Sequence, residues 1–141
     1  MKKKEKNIVL SICLTCRNTS EENSKTRAGQ RLANNLKNKF NDEKNLTLRG
    51  VNCMSNCKRS CIISSTAENC FTYVFGDVDP KNPEYINSLK ELVISYNKSP
   101  DGFLRRRHRP EIYRSNIVGR FPSVNSESEL ITSFEKEQSK K

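Results

Sequence analysis

The chain opens on a polar stretch, MKKKEK, and then turns apolar and β-branched over residues 7–12 (NIVLSI), the pattern of a buried strand. Over residues 27–40 the period changes. Ala28, Leu32, Leu36 and Phe40 recur at every fourth position with Ala33 beside them, which lays one apolar stripe along a helix. Gly29, near the start of that helix, weakens it unless close packing uses the missing side chain. Residues 46–52 (LTLRGVN) alternate and predict a second strand that delivers Cys53. Residues 61–66 (CIISST) and 70–76 (CFTYVFG) predict two strands of a hairpin, with Ala67, Glu68 and Asn69 at the turn. Asn82-Pro83-Glu84 has the chemistry of a helix start: a capping side chain, a proline in the first turn and an acid. Ile86, Leu89, Leu92, Val93 and Tyr96 form the stripe that follows, and Ser99-Pro100-Asp101-Gly102 marks a turn.

The order strand, helix, strand, strand, strand, helix predicts an α/β protein: a mixed four-stranded central sheet with flanking helices, in a thioredoxin-like arrangement. No internal repeat interrupts it. The apolar fraction, 33%, is low, and the deficit lies at the two ends. Residues 1–6 read as a basic flexible N-terminus, residues 7–122 as one folded domain, and residues 123–141 as a polar, disordered tail.

No apolar run is long enough to cross a membrane. "NIVLSICLTC" after the first lysines superficially suggests a secretion signal. Its apolar run is short and holds a serine, Arg17 follows closely, and Ile12 stands where a cleavage site needs a small residue. The expectation is a cytoplasmic protein. In a reducing compartment, six cysteines point to metal binding or redox chemistry rather than to a disulfide framework.

Four thiols are expected to meet. Cys13 and Cys16 leave the first strand, Cys53 and Cys57 leave the second, and parallel neighbours bring both pairs to one edge of the sheet. Four sulfur donors suit tetrahedral zinc or an iron–sulfur cluster. The second pair is C-x3-C rather than the C-x2-C common in structural zinc sites, which tilts the choice slightly toward a cluster. Cys61, the third rung of an even ladder, is one thiol more than either needs: an alternate ligand, a neighbour of the ligands or a core residue. Cys70, beside Phe71 in a strand, reads as a small buried hydrophobe. Arg17, Lys58 and Arg59 flank the thiols, where cations favour thiolate. A C-x-x-C after the first strand also fits a thiol–disulfide oxidoreductase. Enzymes of that kind carry a cis-proline before the third strand, and the first proline here is Pro80.

These residues carry a resemblance. "CMSNC" with "FTYVFGDVDP" after it resembles the thioredoxin-like [2Fe-2S] ferredoxins. The chain is more closely similar to an uncharacterised family of predicted metal-binding proteins related to them. The shared pattern is Cys13-x2-Cys16-Arg17, Gly29 with Leu32 and Leu36, Cys53-x-Ser55-Asn56-Cys57, and Cys61. It continues through Tyr73, Gly76-Asp77, Tyr96, Asp101-Gly102, Arg109-Pro110, Arg120 and Pro122, so it spans residues 7–122. The resemblance implies a [2Fe-2S] cluster held by Cys13, Cys16, Cys53 and Cys57, with Cys61 in reserve, in an electron carrier or redox sensor. Zinc or another metal, with a link to cobalt or cobalamin handling, is the alternative. In the ferredoxins the first two ligands stand ten or more residues apart, so Cys61 could replace Cys13 or Cys16.

Formal net charge is +10, and residues 103–120 concentrate six arginines against one glutamate. Among charged partners, an acidic redox protein is favoured over nucleic acid, because Ile112, Ile117 and Val118 are expected to pack on the body rather than meet bases. His108, between Arg107 and Arg109, is expected to be solvated rather than a ligand. Asp77 and Asp79 read as turn residues. No catalytic triad, phosphate-binding glycine loop or HExxH is present, so the chain reads as a carrier or binding protein before an enzyme.

Overall fold

A computed structural model describes residues 6–16 and 26–134. Five strands, β1 (Ile8–Cys13), β2 (Leu46–Val51), β3 (Ile63–Thr66), β4 (Thr72–Phe75) and β5 (Ile117–Phe121), make one sheet in the order β2-β1-β3-β4-β5. Two helices, α1 (Ala28–Lys39) and α2 (Pro83–Lys98), complete the architecture. β1 is central. It pairs parallel with β2, from Ile8 against Leu46 to Cys13 against Val51, and antiparallel with β3, from Val9 against Thr66 to Ile12 against Ile63. The mixed α/β sheet is the expected one, but it has five strands rather than four.

The fifth strand comes from the arginine-rich stretch. Ile117–Phe121 carries Gly119 and Arg120, which dilute its strand pattern, and it becomes a strand by pairing antiparallel with β4, Thr72 against Phe121. Tyr113 anchors the same stretch. It is fully buried, its hydroxyl donates to the Tyr85 carbonyl at 2.6 Å, and its ring meets Phe75 edge-on at 5.1 Å. Ile112 and Ile117 pack against the core, as expected, whereas Val118 is exposed.

Both helices bury the stripes their spacing predicts: Ala28, Leu32 and Leu36 on α1, Leu89, Leu92 and Tyr96 on α2. α2 starts as expected, with the Asn82 side chain accepting from the Glu84 amide at 3.0 Å and Pro83 in the first turn. At the β3–β4 turn Asn69 takes a left-handed φ of 61°, which asparagine tolerates better than most residues. Cys70 is buried in the core, as expected. Residues 123–134 form no helix or strand, yet Ser128 donates to Asp101 at 2.6 Å and Ile131 packs against the core. Residues 1–5 and 135–141, expected to be flexible, lie outside the described residues.

Candidate thiol centre

β1 ends by delivering Cys13 into the interior, where its amide donates to the Ile62 carbonyl at 3.0 Å. The chain turns through Leu14 and Thr15 and buries Cys16 beneath the first turn of α1. There the Gly29 amide donates to the Cys16 carbonyl at 3.1 Å. Gly29 is the residue that permits this approach. A Cβ at this position would overlap the Cys13 carbonyl oxygen and stand 3.0 Å from its carbon and 3.1 Å from that of Leu14. The helix start therefore sits directly on the C-x-x-C turn.

Cys61 arrives from the other side. It follows a cis peptide bond with Ser60, at the entry to β3 where the sequence offers no proline. Its backbone is clamped against Val78, Cys61 amide to Val78 carbonyl at 3.2 Å and the reverse at 3.1 Å. This places its thiol on that of Cys16. The Cys61 thiol donates to Cys16 and, above all other causes, holds the Cys16 thiol down at about 5, against the opposing effect of burial; Cys13, the Ile62 backbone and Ser60 help. Cys61 is pushed the other way, first by donating a hydrogen bond to Cys16, then by burial and by the charges of Cys16, Cys13 and Asp79. Cys61 is thus the thiol that donates to Cys16 in the interior, with the third sulfur, Cys13, in hydrogen-bonding reach of Cys16.

The loop after β2 closes the centre from the outside. Cys53 and Ser55 take left-handed φ values of 88° and 62°, which turn the intervening Met54 amide onto Cys13 Sγ at 3.4 Å. Cys53 and Cys57 themselves are exposed. Cys57 opens a 3-10 turn, Cys57–Arg59, whose end is tied by Ser60 Oγ donating to the Cys57 carbonyl at 2.7 Å. The five site cysteines are therefore sorted: Cys13, Cys16 and Cys61 meet in the interior, while Cys53 and Cys57 stand outside, Cys53 beside the Met54 amide that meets Cys13 Sγ and Cys57 with its carbonyl accepting from Ser60 Oγ. All are free thiols, and among the described residues no set of three or more His, Cys, Asp or Glu side chains is arranged to hold a metal ion.

The flanking cations behave unequally. Arg59 makes an ion pair with Asp77 at 2.7 Å, so Asp77, expected in a turn, is a charge partner on the irregular segment after β4. Lys58 is exposed, and Arg17 lies outside the described residues. His108 is exposed, as expected. Sequence reasoning missed Met54 and Ser60, whose contributions depend on backbone direction and carry no motif. It had flagged Gly29 as a helix weakness with a packing excuse, and that signal did point to the site.

The family described as "Protein of unknown function (DUF1636)" matches residues 10–123, which runs from within β1 to beyond the end of β5 and takes in all six cysteines. No curated protein and no solved structure matches the chain.

Proposed function

The chain belongs to that family of unknown function, and we propose that it is a small thiolate metal protein, holding a [2Fe-2S] cluster and serving as an electron carrier or redox sensor. One observation carries the reading: three buried thiols from distant parts of the chain converge beside an exposed C-x3-C loop. The donor set is sulfur throughout, as zinc or an iron–sulfur cluster requires. A backbone amide already donates to one of its sulfurs, the kind of contact that tunes such centres. Cys13, Cys16 and Cys61 would supply three ligands, and Cys53 or Cys57, on the adjoining loop, the fourth. When bound, the cluster supplies one-electron chemistry; the protein's own residues bury it, hold its thiolates and exclude water. The strand order β2-β1-β3-β4, with C-x-x-C leaving β1 and Cys61 entering β3, supports a thioredoxin-like reading of the fold.

Anaerobic purification, or reconstitution with ferrous iron and sulfide, is expected to give red-brown protein with about two irons and two sulfides per chain. Protein that stays colourless and iron-free after reconstitution refutes the cluster. Stoichiometric zinc in its place, with unfolding on chelation, selects the alternative metal.

The Cys16–Cys61 hydrogen bond, which favours a Cys16 thiolate, supports one second reading, dithiol exchange. A Cys16 thiolate attacks a substrate disulfide, Cys13 or Cys61 displaces the mixed disulfide, and two protein thiols are oxidised as two substrate thiols are released. Insulin reduction by dithiothreitol, with and without the metal-free protein, tests it; no acceleration refutes it.

A further inference from the structure

The arginine-rich segment builds a second site, away from any function assigned above. Residues Phe103, Arg105, Arg106, Arg109, Ile117 and Arg120 line an open cleft of about 630 Å³, within the range of small-molecule sites. Arg109 is 5% exposed, and its Nε has no hydrogen-bond partner. Its Nη2 donates to the Arg114 carbonyl at 3.3 Å. A buried guanidinium with a free donor is costly unless something in the site satisfies it.

Among the described residues none of these four arginines has an ion-pair partner. Their contacts are to backbone and aromatic groups: Arg106 to the Arg114 carbonyl at 3.4 Å, Arg120 to the Tyr73 hydroxyl at 3.5 Å. Arg120 also lies over the Phe103 ring, 4.2 Å from its centroid, and Arg109 over Tyr73 at 6.0 Å. Stacking of this kind fixes the plane of a guanidinium before a ligand arrives. Burial and the charges of Arg120 and Arg106 push Arg109 below the usual arginine range, with Tyr73 opposing, so these cations repel one another when the cleft is empty.

We propose that this cleft binds a small phosphate-bearing ligand, a phosphomonoester or diphosphate, with Arg109 at its floor and Arg105, Arg106 and Arg120 at its mouth. Guanidinium forks match phosphate oxygens in pairs, and four uncompensated cations suit a multiply charged phosphate better than a single carboxylate. The site is independent of the thiol centre and stands whether or not that centre holds metal.

The test is calorimetric titration of the full chain with inorganic pyrophosphate, alongside a short single-stranded oligonucleotide and polyglutamate. Saturable one-to-one pyrophosphate binding is expected. It should weaken at least tenfold in Arg106→Gln/Arg120→Gln and remain unchanged in Lys37→Gln/Lys39→Gln, which removes the same charge from α1. Arg105→Gln, a single exposed change, should weaken it severalfold and keeps the test available if the double variant misfolds. Absence of saturation, or equal weakening in the two double variants, overturns the proposal. Binding of only the oligonucleotide or polyglutamate overturns it as well, in favour of macromolecular docking.

Discussion

Gly29→Ala tests the packing of α1 on the C-x-x-C turn. Alanine should help a helix: replacing glycine in a helix interior stabilises by about 1 kcal/mol. Here the new methyl group would overlap the Cys13 carbonyl oxygen and press on two backbone carbonyl carbons at 3.0 and 3.1 Å. None of these atoms can rotate away. Overpacking costs about 1–3 kcal/mol, and backbone neighbours place this case at the upper end. The net expectation is a loss of about 2 kcal/mol. For a chain of 141 residues that corresponds to a fall in Tm of roughly 6–8 °C. Gly50→Ala is the control, because its Cβ meets only the flexible end of the Leu14 side chain, and it should cost far less. Thermal unfolding followed by circular dichroism reads both. The packing also predicts that Gly29→Ala, still folded at low temperature, retains less iron after reconstitution, since the helix start must back off the Cys13–Cys16 turn. A Tm equal to or above the parent's would refute the argument, because it would mean that propensity outweighs the clash.

Other expectations follow from single contacts. Tyr73→Phe removes a buried hydroxyl that accepts from the Leu104 amide at 2.6 Å and donates to its carbonyl at 3.1 Å; a loss of about 1–3 kcal/mol in urea unfolding, with an unchanged m value, is expected. Asp101 is pushed up by partial burial, but hydrogen bonds from Ser128, the Phe103 amide and Ser99 outweigh this and hold its carboxyl below 3.8. A depressed carboxylate stabilises the fold above its unfolded value and loses that contribution as pH falls through the folded one. The stability gap between the parent and Asp101→Asn should therefore be full at neutral pH and close in acid below 3.8; a gap independent of pH counts against this assignment. Cys61→Ala should lower reconstituted iron per chain, while Cys70→Ala, which changes a core thiol outside the centre, should leave it unchanged; equal losses would make Cys61 merely structural.

What could be read along the chain was local in origin. The stripe of α1, the Asn82–Pro83 start of α2, the run of β1 and the Asn69 turn each arise from side chains within a few positions of one another, so periodicity and capping chemistry suffice to predict them. The fifth strand was not legible, because Ile117–Phe121 is short, interrupted by Gly119 and Arg120, and is made a strand by its partner β4.

The cysteines show the same division most sharply. Cys53, Cys57 and Cys61 are equivalent rungs in sequence, and the motif C-x3-C marks the first two as the pair to watch. Tertiary structure sorts them otherwise. Left-handed backbone at Cys53 and Ser55 and the 3-10 turn from Cys57 leave the first two thiols outside, while the clamp on Val78 and the pairing of β3 with β1 carry Cys61 inward to Cys16. The sequence by itself determined that thiols would gather at the end of β1, because composition and spacing put them there. Which thiols meet, and which arginine is buried with an unsatisfied donor, only the tertiary structure decided. Both depend on the direction in which distant backbone segments deliver a side chain, and spacing along the chain does not encode that direction.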